Sequence, residues 1–197
     1  QRFGLRGVSL GSGPLYAGLA AAVGLDHRDF GTATDPAADV IVRVEATLAL
    51  ITEGYDFVHL HTKRPDMAGH KKNPARKAEV IEGIDRALAP LVPLVERGEI
   101  VVAVCPDHQT PSAGPLYHGG GAVPLLIAGG VAGADSVTAY GETACAAGAL
   151  GTLRGTDVLP LALDAADRSA FLADRMTGHR ALGIPRAEDV RPLAAQE

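Results

Sequence analysis

The feature that most restricts the fold is a regular exchange of short apolar runs with longer stretches of helical periodicity. LRGVSL (5–10), YDFVHLH (55–61), EIVVAVC (99–105) and AVPLLIAGG (122–130) are rich in branched or aromatic residues and have the length of strands. GSGP turns the chain after the first of them into the alanine-rich helix YAGLAAAVG. DPAADVIVRVEATLALITEG repeats apolar residues at helical spacing, with Asp35 or Asp39 placed to cap its start and Gly54 to end it. NPARKAEVIEGIDRALAPLVPLVERG is a long helix in which Pro74 suits the first turn, while Pro90 and Pro93 kink or divide it. Two further helical stretches lie around 142–150 and 156–163. This order predicts an α/β fold with a largely parallel sheet and helices on both faces. Chemistry then belongs at the carboxyl ends of the strands. Residues 1–163 read as one core and 164–197 as an irregular tail, whose His179 reads as surface.

Composition closes several alternatives. A chain of 197 residues supports one substantial domain or two small ones, and 47% hydrophobic with 21% charged residues is globular rather than disordered. The net charge of −5 and the scattered basic residues argue against nucleic acid and anionic membranes as partners. Two cysteines, Cys105 and Cys145, exclude a disulfide framework and fit a reducing cytoplasm. The longest apolar stretch, 122–134, is too short to span a bilayer and is broken by glycines. The start, QRFGLRG, has no initiator Met and no signal-peptide character, so further upstream sequence is expected.

Against this background three segments carry metal-ligating side chains: Asp66 and His70 in PDMAGH, Asp107 and His108 in PDHQTP, and His118 in LYHGG. Spacing alone is weak, because chance supplies about half an Asp-x-x-x-His match in such a composition. Context is what separates these residues from Asp26-His27, which reads as solvated surface before an ordinary loop. The five candidates follow successive strand-like runs. Gly11-Ser12-Gly13 reads as a turn, since no Lys-Ser/Thr follows at phosphate-loop spacing. The TKRPDMAGH segment reads as a loop. His59 and His61 alternate on one strand and face one side; His59 reads as structural, His61 as either support for the ligands or strand-end packing. Lys63 and Arg64 either meet a phosphate or lie in a solvated loop. Cys105 reads as a small buried hydrophobe.

Taken together, DFVHLHTKRPDMAGH, the following K-A-E-V-I-E-G-I-D helix, VAVCPDHQTP and H-G-G-G-A-V-P-L-L-I resemble the cofactor-independent phosphoglycerate mutases. The match is closest to their archaeal-type branch, within the alkaline phosphatase superfamily of metalloenzymes. The resemblance implies two divalent ions, manganese, zinc or magnesium. Asp66, His70 and His118 would hold one, and Asp107 and His108 would help to hold the other. It also implies an N-terminal aspartate, a nucleophilic serine that becomes phosphoserine, and a cap domain, none of which is identifiable in these residues. The implied function is metal-dependent interconversion of 3-phosphoglycerate and 2-phosphoglycerate. Alternatives are a phosphohydrolase or phosphopentomutase of the same superfamily, or a non-catalytic metal-binding fragment. A small phosphorylated substrate is the expected partner, and the oligomeric state is left open. Lys71-Lys72-Asn73, Cys105-Pro106 and Gly119 depart from the family pattern without removing a ligand.

Overall fold

In the computed structural model, which describes residues 4–31 and 35–168, β1 (Gly7–Gly11) is the central strand of a parallel sheet ordered β2-β1-β3. All five residues of β1 are buried, as expected for an apolar strand flanked on both sides. Its neighbours are β2 (Asp26–Asp29) and β3 (Phe57–Leu60), in a register that sets Val8 beside Asp26 and Val58. Between β1 and β2 runs α1 (Pro14–Val23), ended by Gly24 in the left-handed conformation at φ 75°.

The crossover to β3 is α2 (Pro36–Thr52), followed by a turn in which Gly54 adopts φ 84°. One face of α2 buries Val40 and Val44 completely or nearly so, against Ala87 and Leu91. Leu50 and Tyr55 instead pack with Val8 and Leu10 under the sheet. Burial of each such side chain contributes about 1.5–3 kcal/mol, enough to set how the helix is rotated.

The helix α4 (Pro74–Leu88) starts at Asn73, whose side chain accepts a hydrogen bond from the Arg76 amide at 3.0 Å. It ends before Pro90. A 3₁₀ turn (Ala89–Leu91) and α5 (Val92–Glu96) continue the chain, so the prolines divide the long helix as expected. β4 (Val101–Val104) pairs with β5 (Leu126–Gly129), and α6 (Glu142–Cys145) and α7 (Gly155–Ala165) follow. Residues 169–197, including His179, lie outside the described residues.

Three features differ from the sequence expectation. The segment at Asp26-His27, read as solvated surface, is exposed at Asp26 and half-buried at His27 but forms a strand, β2, whose polar DHRD residues suit pairing on one side only. The PDMAGH segment, read as part of a loop, is the helix α3 (Arg64–His70), started by Pro65 in its first turn. The β4–β5 pair is antiparallel and hydrogen-bonds separately from the parallel sheet.

Candidate metal centre

The centre is assembled where β3 and β4 end. From β3 the chain enters α3, which places Asp66 in the first turn and His70 in the last, one helical turn apart. His70 Nε2 lies 3.1 Å from Asp66 Oδ1. β4 delivers Asp107 and His108, and the chain then folds back through a bridge between Gln109 and Gly119, with the Gly119 amide donating to the Gln109 carbonyl at 3.0 Å. That reversal brings His118 beside His108, their ring centroids 4.1 Å apart. Two lysines pin the loop from outside. Lys72 donates to the Pro111 carbonyl at 2.8 Å, and Lys77 donates to that of Thr110 at 2.6 Å. Lys72, a departure from the family pattern, therefore holds the ligand loop.

Asp66, His108 and His118 each offer a ligand atom, and these atoms lie within 4.8 Å of one another. His118 Nδ1 is 3.9 Å from Asp66 Oδ1, and the His70 ring centroid is 4.9 Å from that of His118. Asp107 adjoins the group through His108, with Oδ2 3.6 Å from His108 Nε2. Asp66, His108 and His118 thus form one tight group, with His70 against Asp66 and His118 and Asp107 beside His108.

Two neighbours were not legible in the motifs. Thr110 is buried, and its hydroxyl donates to Asp66 Oδ1 at 2.6 Å while lying 3.3 Å from Nδ1 of both His108 and His118. The only sequence signal for it is a hydroxyl residue inside PDHQTP. Tyr117 stacks on His70 at 3.9 Å between ring centroids and meets His118 edge-on at 4.6 Å.

The surrounding residues explain the local electrostatics. His61 stacks on Tyr16 at 3.9 Å, and burial, with a smaller contribution from His59, pulls its pKa down to about 4. Desolvation also lowers His59, whose Nδ1 is 3.1 Å from Ser9 Oγ, although the residue as a whole is exposed. The two rings lie 6.2 Å apart, as side chains on one face of a strand should. Burial and the negative charges of Asp107 and Asp66 raise the Tyr16 phenol. Lys63 reaches over the Tyr16 ring, whereas Arg64 is buried. Cys105 is exposed rather than buried, because the chain has already left β4 and turned towards solvent. Asp26 accepts a hydrogen bond from the Tyr55 hydroxyl at 2.6 Å.

The donor set fits a divalent transition ion: imidazoles and carboxylates suit cations of intermediate hardness. The buried Nδ1 of His70 also lacks a hydrogen-bond partner among the described residues, as a donor atom awaiting a ligand would. Asp66, His108 and His118 would hold the ion, with His70 and Asp107 beside them.

An α/β sheet with candidate carboxylate and imidazole ligands at its strand ends has the architecture of a metalloenzyme. The chain belongs to the metalloenzyme superfamily, whose family model matches residues 2–165. It is 38% identical over 156 residues to the 2,3-bisphosphoglycerate-independent phosphoglycerate mutase of Thermococcus kodakarensis, covering 79% of this chain and 38% of that protein. A solved structure from Pyrococcus horikoshii superposes with a TM-score of 0.73 at 34% identity, covering 87% of this chain and 45% of the other. The cofactor-independent phosphoglycerate mutase of Thermoplasma acidophilum shares the fold, with a TM-score of 0.59 at 24% identity over 82% of this chain and 37% of that one. The chain therefore spans less than half the length of these relatives. Among the described residues, no helix is long and apolar enough to cross a membrane.

Proposed function

We propose that the protein takes part in metal-dependent phosphotransfer, interconverting 3-phosphoglycerate and 2-phosphoglycerate. The observation that carries this reading is the convergence of Asp66, His108 and His118, with ligand atoms within 4.8 Å, in a chain whose relatives bear the mutase name. Two divalent ions, manganese, zinc or magnesium, would neutralise the phosphoryl oxygens and lower the pKa of a serine hydroxyl. Asp66, His108 and His118 are assigned to one ion, with His70 and Asp107, which the family resemblance also counts as ligands, completing the two-ion set and His61 supporting them. Lys63 and Arg64 are assigned to the substrate.

The serine lies outside these 197 residues in this reading. Its oxygen attacks the substrate phosphorus, the ester oxygen leaves with a proton, and the neighbouring hydroxyl then takes the phosphoryl group back from phosphoserine. Full-length protein with manganese and 3-phosphoglycerate should form 2-phosphoglycerate in a coupled assay. Robust release of free phosphate without mutase signal would favour a phosphohydrolase. The 197-residue chain alone should give no phosphoenzyme with labelled 3-phosphoglycerate, and a stable serine label on it would overturn the assignment of the nucleophile.

A further inference from the structure

Beside the metal centre lies a cleft of about 410 Å³, lined among others by Ser12, Asp29, Asp39, Arg43, Lys63 and Arg64. His61 lines it too and lies close enough to Asp107 to interact with its charge, so the cleft adjoins the ligand cluster. Two of its arginines are buried in a small protein, which is costly unless their charge is used. Arg43 is 1% exposed and fixed. It donates to Ser12 Oγ at 2.7 Å, to the Leu10 and Gly31 carbonyls at 3.2 and 3.0 Å, and to Asp39 Oδ1 at 3.1 Å.

Arg64 is different. It is 8% exposed, yet among the described residues its Nε and Nη2 have no hydrogen-bond partner, whereas Arg43 leaves only Nε unpaired. The nearest carboxylate, that of Asp39, is 3.8 Å from Nε, beyond hydrogen-bond reach, and already accepts from Arg43 and Thr62. Nε and Nη2 form one edge of the guanidinium, two parallel donors that match the two oxygens of a carboxylate. Both are covered in the resting structure. Rotation of the side chain towards the cleft would break none of the hydrogen bonds described for it. The cleft holds three cations, Arg43, Lys63 and Arg64, against the carboxylates of Asp29 and Asp39, an excess of one positive charge that matches a monoanion better than a phosphate dianion. Arg64 starts the same helical turn as Asp66, so a group bound here sits within a small molecule's reach of the metal ligands.

We propose that this cleft, with the Nε–Nη2 edge of Arg64 as its recognition element, binds the carboxylate of a small phosphorylated acid whose phosphate faces the metal centre. The inference rests on the phosphotransfer reading for the phosphate end only. Calorimetric titrations of intact protein with 3-phosphoglycerate, glycerol phosphate and glycerate, repeated with Arg64→Gln and Arg64→Lys, separate the two. Arg64→Gln should weaken 3-phosphoglycerate and glycerate by about ten- to hundredfold while leaving glycerol phosphate unchanged, and Arg64→Lys should restore only part of the loss. Equal losses for all three ligands, or none, in a variant with an unaltered circular dichroism spectrum would overturn the proposal. If wild type binds glycerate but neither phosphate ester, and Arg64→Gln abolishes that binding, the cleft stands and the mutase reading falls.

Discussion

Replacing Thr110 by valine should loosen the metal centre without unfolding the protein. The hydroxyl donates to Asp66 Oδ1 at 2.6 Å, which uses its one proton. Its two lone pairs remain for Nδ1 of His108 and His118, each 3.3 Å away. If both rings donate from Nδ1, both Nε2 atoms are left with a lone pair for an ion, so one hydroxyl sets the tautomer of two ligands. Valine keeps the shape of the buried side chain and removes this control. Loss of the supporting hydrogen bonds should weaken metal affinity by about 10–100-fold, equivalent to about 1.4–2.8 kcal/mol. The stability cost should be near 1 kcal/mol, because the Asp66 side chain, 34% exposed, can recruit water. Competition with a chromogenic chelator measures the affinity, and urea denaturation of metal-free protein measures the stability. Unchanged affinity for zinc and manganese in Thr110→Val would refute the reasoning.

Other consequences follow from the same packing and charge. At Gly69→Ala the added methyl would stand 2.7 Å from the Thr110 carbonyl oxygen and 2.8 Å from its Cγ2, forcing α3 and the ligand loop apart. A loss of about 1–3 kcal/mol in urea unfolding and weaker metal binding should result; a variant matching wild type in both would contradict the contact. In metal-free protein, His61 is neutral when folded, with its pKa lowered to about 4, and takes up a proton more readily when unfolded. Its contribution to stability is therefore fully present above about pH 6.5 and is lost as pH falls through about 4. Urea midpoints should fall from pH 7 to pH 4.5 and fall less steeply in His61→Gln; parallel slopes for the two proteins would exclude this residue as the cause.

What the sequence makes legible depends on how each element earns its stability. β1, β3, β4 and β5 announce themselves through short runs of branched and apolar residues, although only β1 is fully buried. The antiparallel sense of β4 and β5 leaves no mark in such residues, since strand direction is decided by where the intervening chain returns. β2 is held by its backbone pairing with β1, so DHRD shows no apolar pattern. α3 has seven residues, too few to display a period, and its proline reads as a breaker although it occupies the first turn. The five candidate ligands are visible because their chemistry is unusual and their order follows the strands. Thr110 and Tyr117 acquire their roles only when Gln109 and Gly119 pair and fold the loop back. Arg43 did leave a trace, as a charged residue between the buried Val40 and Val44 on α2, but only the structure gives the partners that justify it.

The central claim, that Asp66, His108 and His118 form a metal site, is tested most directly by anomalous diffraction from crystals of the protein soaked in manganese or zinc. The account predicts a peak about 2.0–2.3 Å from one oxygen of Asp66 and one nitrogen each of His108 and His118, absent from His118→Ala crystals soaked in the same way. A peak remote from these side chains, or one that survives in His118→Ala with its position unchanged, would contradict it.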